Sequence, residues 1–162
     1  MIKANAKKVK PVLHHCLFTA FLANQLANKI GIDPDEAFVC GLLHDMGKTI
    51  LIHYLTTSSD LHKSFYTDVI AKNHCRAGYF LAAEWQLSDI VQETILYHHA
   101  PDQATKYPHH VLLTFFANHI ANGALSKEDL QRLNDDLGIE TEIIQPLIEN
   151  FDSLKEKIAA LL

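Results

Sequence analysis

The chain is predicted to fold as an all-α, single-domain helical bundle, and three observations lead there. Apolar residues recur at three- and four-residue spacing in one segment after another. Helix boundaries are punctuated: Asp33-Pro34-Asp35-Glu36 offers a cap, a proline for the first helical position and a carboxylate three residues after the cap, while Gly31 and Gly138 each follow a periodic run. No internal repeat, low-complexity tract or interdomain linker divides the 162 residues, a length that suits one sizeable core. The expected organisation is a short lead-in over residues 1–11 and a helical domain over residues 12–162.

Residues 1–10 are basic and lack periodicity, so they are expected to fray, with Pro11 in the first turn of a helix running from Val12 to about Lys29. Leu13, Leu17, Ala20, Phe21 and Ala27 mark its apolar stripe, widened by Phe18, Leu22 and Leu26. His15 shares a face with Thr19, Leu22 and Leu26 and should point inward, whereas His14 sits at the rim. A second helix, opened by Asp33 and Pro34, ends by delivering His44 and Asp45, and Gly47 is expected to break or bend the chain there. The stretch from Lys48 to Thr56 reads as a short buried helix, although its β-branched content also suits a strand. Thr57-Ser58-Ser59-Asp60 reads as a polar linker. A long helix from about Phe65 to Trp85 carries His74 and Gly78 at i and i+4 on one face, where the small Gly78 would admit a neighbouring helix. Trp85 itself is expected in the core.

Ser88 suits a cap for the helix from Asp89, which turns Ile90, Ile95 and Leu96 inward and ends at Tyr97-His98-His99 before Pro101. After a loop over residues 100–107, Pro108 opens an apolar helix reaching Ala121, with Leu112, Phe115, Phe116 and Ile120 as core residues. Ser126-Lys127-Glu128-Asp129 is another capped start and Gly138 another stop. The tail from Glu142 to Leu162 keeps helical spacing, with Pro146 expected to bend it.

Fourteen basic against 19 acidic residues give a formal charge of -5, the opposite of the bias a phosphate-neutralising nucleic-acid binder needs. No apolar run approaches the ~20 residues of a membrane helix, and the lysines of the N-terminus precede no apolar leader segment. The expected setting is the cytoplasm. Cys16, Cys40 and Cys75 are odd in number and never spaced C-x-x-C, which disfavours disulfides and a thiolate zinc knuckle. Cys16 and Cys75 each follow a candidate ligand histidine, and neighbouring helical residues diverge by ~100°, so both thiols are expected to turn away from the histidines' target.

Eleven histidines are the compositional anomaly. Several fall in apolar helical segments, where an unpaired imidazole is costly to bury. His15, His44-Asp45, His74 and His98-His99 lie at points an all-helical core can bring together, while His14, His53, His62, His109 and His110 read as surface or rim residues. Imidazole and carboxylate suit divalent first-row metals, and one carboxylate can bridge two ions that polarise a phosphoryl group and acidify a water. The alternative is a polar core in which Asp45 pairs with His44 or His15.

The order His15, then Leu42-Leu43-His44-Asp45-Met46-Gly47-Lys48, resembles the HD superfamily of metal-dependent phosphohydrolases. More narrowly, His74-x-x-x-Gly78, Trp85-Gln86-Leu87 and Ile95-Leu96-Tyr97-His98-His99-Ala100-Pro101 resemble the HDOD subfamily of bacterial signalling domains, over about Val12 to Leu137. The resemblance implies a helical bundle with a central metal site holding one or two divalent ions, iron, manganese, zinc, nickel or magnesium. His15, His44 and Asp45 match the first metal's ligands, with Asp45 the bridge and a catalytic residue. His74, His98 and His99 match second-metal positions, and Lys48 falls where a basic residue can meet a substrate phosphate. The superfamily's last ligand is an aspartate, and the matching position here is Asn118, a weaker and neutral ligand, beside which His119 could substitute if rotated inward. The helical region that often precedes the first histidine in HDOD proteins is expected to be missing. A related cyclic-dinucleotide phosphodiesterase group carries Gly-Tyr-Pro, of which Lys106-Tyr107-Pro108 keeps only Tyr-Pro. The resemblance implies hydrolysis of a phosphoester, a nucleotide among the candidates, or else a non-catalytic signal-transduction module that recruits a protein partner.

Overall fold

A computed structural model describes residues 2–57 and 62–150, together with Ser153 and Glu156. Among these, eight α-helices and no strand are formed: α1 Ile2–Ile30, α2 Pro34–Leu43, α3 Met46–Thr57, α4 Tyr66–Glu84, α5 Asp89–Tyr97, α6 Pro108–Ala121, α7 Lys127–Leu137 and α8 Thr141–Glu149. Short 3-10 turns at Lys63–Phe65 and Pro101–Gln103 lead into α4 and out of α5. Most of the polar linker expected after Thr57, and Phe151, Leu154, Ile158 and Leu161 of the apolar tail, lie outside the described residues.

The punctuation works as expected. Asp33 Oδ1 accepts from the backbone N–H groups of Asp35 at 2.8 Å and Glu36 at 3.2 Å, satisfying two donors that the start of α2 leaves free. Ser126 and Asp129 form a reciprocal capping box on α7, which ends at Gly138 in the left-handed conformation, φ 65°. Ser88 occupies the cap position of α5 without a side-chain capping bond. The stretch after Lys48 is helical, because it buries Ile52 and Leu55 along one helical face and tertiary burial outweighs β propensity.

Four expectations are corrected, the last of them at Gly47. Residues 2–10 continue α1 instead of fraying, and Pro11 lies within the helix. Alanines and lysines are good helix formers, and the one hydrogen bond that proline removes does not end a helix favoured on both sides. Leu13 is exposed, while Phe18, Ala20, Leu22, Leu26 and Ala27 of the same expected stripe are buried together with Cys16, Thr19 and Ala23. Trp85 is 61% exposed at the end of α4 instead of buried. Its position one residue past the last helical turn carries it off the face that α4 presents to the core.

The larger apolar core joins α1, α2, α6, α7 and α8 through Phe18, Leu22, Leu26, Leu113, Phe116, Leu133, Ile139 and Ile144. Fully burying each such side chain is worth about 2 kcal/mol. A smaller cluster of Cys40, Met46, Ala82, Val91 and Ile95 ties α2 and α3 to α4 and α5. The turn between α2 and α3 falls at His44–Asp45, and Gly47 lies inside α3 instead of breaking it.

Gly47 serves another purpose. A Cβ there would stand 1.9 Å from the carbonyl oxygen of His74 and 2.7 Å from the backbone nitrogen of Gly78. Gly78 in turn faces Gly47, so α3 and α4 cross with backbones almost touching, as the small Gly78 suggested. Because the obstructing atoms are backbone, Gly47→Ala cannot be relieved by a rotamer change. It is expected to destabilise the protein by about 3 kcal/mol, at the upper end of overpacking costs, measurable by denaturant unfolding. A loss under about 1 kcal/mol would contradict so close a crossing.

Candidate metal centre

The candidate ligands come from five places in the chain: His15 on α1, His44 and Asp45 in the turn after α2, His74 on α4, His98 and His99 after α5, and Asn118 on α6. Each helix or turn contributes one residue or a pair. Helix geometry then fixes how the imidazoles face. His44 Nδ1 lies 2.7 Å from the Gly41 carbonyl, His98 Nδ1 lies 2.9 Å from that of Ile95, and His74 Nδ1 lies 3.0 Å from that of Ile70. A carbonyl only accepts, so each Nδ1 donates and each Nε2 is left with a bare lone pair.

Those Nε2 atoms converge on Asp45, which is 1% exposed. Its Oδ2 lies 3.3 Å from His44 Nε2 and 3.8 Å from His15 Nε2, while its Oδ1 lies 3.4 Å from His74 Nε2 and 3.5 Å from His98 Nε2. The two oxygens thus look toward two different histidine sets. His99 Nε2 sits 3.1 Å from His74 Nε2 at the outer, exposed edge. Asn118 is buried in contact with the His15 ring, and its Oδ1 accepts from Asn122 at 2.9 Å.

Electrostatics keep the set in ligand-ready form. Burial lowers His15 to about 4, helped by the charge of His44, and lowers His98 to about 4. Burial and His98 take His99 to about 3, and burial also lowers His74. Burial pushes the Asp45 carboxyl up, but His44, His98 and Lys48 overcome this and hold it well below the usual carboxylate range. The lowered imidazoles of His74, His98 and His99 therefore stand beside an ionised carboxylate, and with Nδ1 donating at His74 and His98 their Nε2 acceptors face its Oδ1. Asp45 Oδ1, His44 Nε2 and His98 Nε2 are buried without a hydrogen-bond partner. Leaving such atoms unpaired costs about 1–3 kcal/mol each. A divalent cation on either side of the carboxylate would satisfy them, so the residues fit the metal that the sequence resemblance implies. Two groups have ligand atoms close enough to hold an ion, His15 with His44 and Asp45, and His74 with Cys75, His98 and His99.

Lys48 Nζ lies 2.6 Å from Asp45 Oδ2, an ion pair that its position one turn further along the chain makes available. His119 is turned away, its Nδ1 3.0 Å from Asp129 Oδ2, and does not replace Asn118. His53, His62 and His109 are exposed, and His14 and His110 lie at the rim. The outcome for Cys75 corrects the sequence expectation, because its Sγ lies 3.4 Å from His74 Nε2 and faces the cluster. The ~100° step between neighbours separates Cβ directions, but the His74 ring reaches far enough to swing its Nε2 back over the adjacent thiol. Burial, with the Asp45 charge, raises the Cys75 thiol to about 11. Cys16 does stay in the core, and burial raises it to about 12.

Glu93 was not apparent as important from sequence. Its carboxylate accepts from the backbone N–H groups of Thr105, Lys106 and Tyr107, pinning the loop that carries Tyr107 and Pro108. A cleft of about 230 Å³ beside that loop is lined by Tyr79, Gln92, Glu93, Tyr97 and Lys106 and by none of the candidate ligands. Among the described residues no helix is long and apolar enough to cross a membrane.

The HDOD domain family matches residues 1–101. Ribonuclease Y of Mycoplasma genitalium is 34% identical over 145 residues, 86% of this chain but 25% of that protein. Ribonuclease Y of Rhodopirellula baltica is 57% identical over 37 residues, covering 23% of this chain and 7% of that protein. The chain thus spans a quarter or less of these relatives' length. An HDOD domain protein of unknown function from Geobacter sulfurreducens has a similar crystal structure, with TM-score 0.71 and 20% identity over 93% of this chain and 62% of that one. At that identity the likeness establishes the fold.

The lowered histidines make the metal-free protein sensitive to acid. The unfolded chain takes up protons first, near pH 6.5, so stability is full above that value and falls as pH drops toward 4. His98 alone should cost about 3 kcal/mol over this window. Denaturant unfolding of chelator-treated protein at about pH 7.5, 6 and 5 checks this, and a flat profile would contradict neutral burial of the cluster.

Proposed function

The chain belongs to the HDOD domain family, and from that membership we propose that it is a metal-dependent phosphohydrolase acting on a phosphoester, with a nucleotide as the preferred class. The observation that carries this reading is the split of Asp45, whose two oxygens face separate histidine groups as a bridging carboxylate must. Iron, manganese, zinc, nickel or magnesium would be held by His15, His44, Asp45 and Asn118 on one side and by His74, His98, His99 and Asp45 on the other. Divalent ions so bound supply Lewis acidity toward a phosphoryl oxygen and acidify a water.

The protein's own groups do the rest. His44, His74 and His98 hold their rings through Nδ1, so that Nε2 stays aimed inward. Asp45 fixes the spacing between the two groups. Lys48, on a side chain 28% exposed, pairs with Asp45 and would be placed to meet an incoming phosphate. The relatives named Ribonuclease Y support a phosphodiester as the bond concerned. The formal charge of -5 favours a small nucleotide over a long nucleic acid. A cytoplasmic setting is part of the same proposal, and no described helix is both long and apolar enough to cross a bilayer.

A second reading is favoured by a specific pair of observations. Asn118 stands where a carboxylate would add charge, and Lys48 already neutralises Oδ2, so a single carboxylate serves the whole site. On that reading the domain is a non-catalytic signalling module that recruits a protein partner. Turnover separates the two. Metal-loaded protein is expected to hydrolyse generic phosphodiesters, and His44→Ala or Asp45→Ala to lose at least about 100-fold of that rate. Inertness toward phosphoesters with every metal tried would leave the recruiting module.

A further inference from the structure

We propose that Cys75 is a metal ligand: with His74, His98 and His99 it forms a mixed nitrogen and sulfur site, on the Oδ1 side of Asp45, that takes the first equivalent of a thiophilic divalent ion such as zinc or ferrous iron. The inference rests on the metal-dependent reading above and goes further by naming the donor set and the order of filling.

The spacing of the donor atoms is the first support. Cys75 Sγ lies 3.4 Å from His74 Nε2, and His74 Nε2 lies 3.1 Å from His99 Nε2. All four candidate ligand atoms, including one of His98, fall within 4.8 Å of one another. A tetrahedral centre with bonds of ~2.1 Å to nitrogen and ~2.3 Å to sulfur sets donor-to-donor edges of roughly 3.4–3.6 Å. The observed separations are already close to those edges before any ion draws the side chains in.

The second support is independent of the thiol. His98 Nε2 and Asp45 Oδ1 are buried, 0% and 1% exposed as residues, and lack hydrogen-bond partners, yet they lie only 3.5 Å apart. Two acceptors aimed at each other need a cation beside them. The opposite oxygen is differently placed, because Lys48 Nζ sits 2.6 Å from Oδ2. An ion entering on the Oδ2 side must displace an ammonium, whereas on the other side Asp45 Oδ1 and His98 Nε2 have no partner to displace. The first ion therefore belongs with Cys75. Charge points the same way, since binding releases the thiol proton to solvent and leaves a thiolate, adding a second negative ligand to a site otherwise served by Asp45 alone. A soft sulfur donor selects zinc or ferrous iron over magnesium or calcium.

Cobalt(II) tests this without reference to activity. Titrated into the full chain after chelator treatment, it is expected to raise a near-ultraviolet thiolate-to-cobalt charge-transfer band that reaches its plateau at the first equivalent. Cys75→Ser should still bind cobalt, more weakly, with the band gone and one proton fewer released. Cobalt bound by the natural sequence without that band, or a band that survives in Cys75→Ser, would overturn the assignment of Cys75 while leaving the metal site standing. Failure to bind cobalt at all would overturn both.

Discussion

A single buried carboxylate, met by one ammonium at Oδ2 and facing imidazole acceptors at Oδ1, is the constraint on which this structure depends. Asp45 is ionised in the interior, and an isolated charge there would be strongly unfavourable. Lys48 compensates one oxygen, whereas the other faces only imidazole nitrogens whose hydrogens are committed elsewhere. The fold therefore maintains an arrangement that is costly in its own right and that positive charge from outside the chain would resolve. Sites that violate the usual pairing of buried polar groups are where function is expected to lie.

The helices meet this constraint through backbone. At His44 and His98 the chain has just left a helix, and the imidazole folds back onto a carbonyl three residues earlier. His74 does the same from the middle of α4, four residues back. The Nε2 lone pairs are thus oriented by main-chain geometry and need no additional side chains. Close packing at Gly47 and Gly78 brings α3 against α4, which sets the distance between Asp45 and His74. Stability and site geometry share the same contact.

Much of this was legible in the sequence, for local reasons. Capping at Asp33 and Ser126 and the stop at Gly138 are short-range chemistry that survives folding unchanged. The inward turn of His15 followed from sharing a face with Thr19, Leu22 and Leu26, all of which are fully buried. Grouping His44, Asp45, His74 and His98 needed long-range information, and the ordered motifs supplied it. What escaped were features set by tertiary direction. Gly47 looks like a breaker until its neighbour across the helix crossing is known. Cys75 looks averted until the reach of the adjacent imidazole is counted. Trp85 looks like core because of its size, and its exposure depends on where α4 ends.

Metal content measures the central claim most directly. Elemental analysis of untagged protein purified without chelator, beside the Asp45→Ala variant, should find one to two equivalents of a divalent transition metal in the natural sequence and a near-complete loss in the variant. Natural-sequence protein that stays metal-free even after reconstitution would contradict the account, leaving the histidines and Asp45 as a polar core.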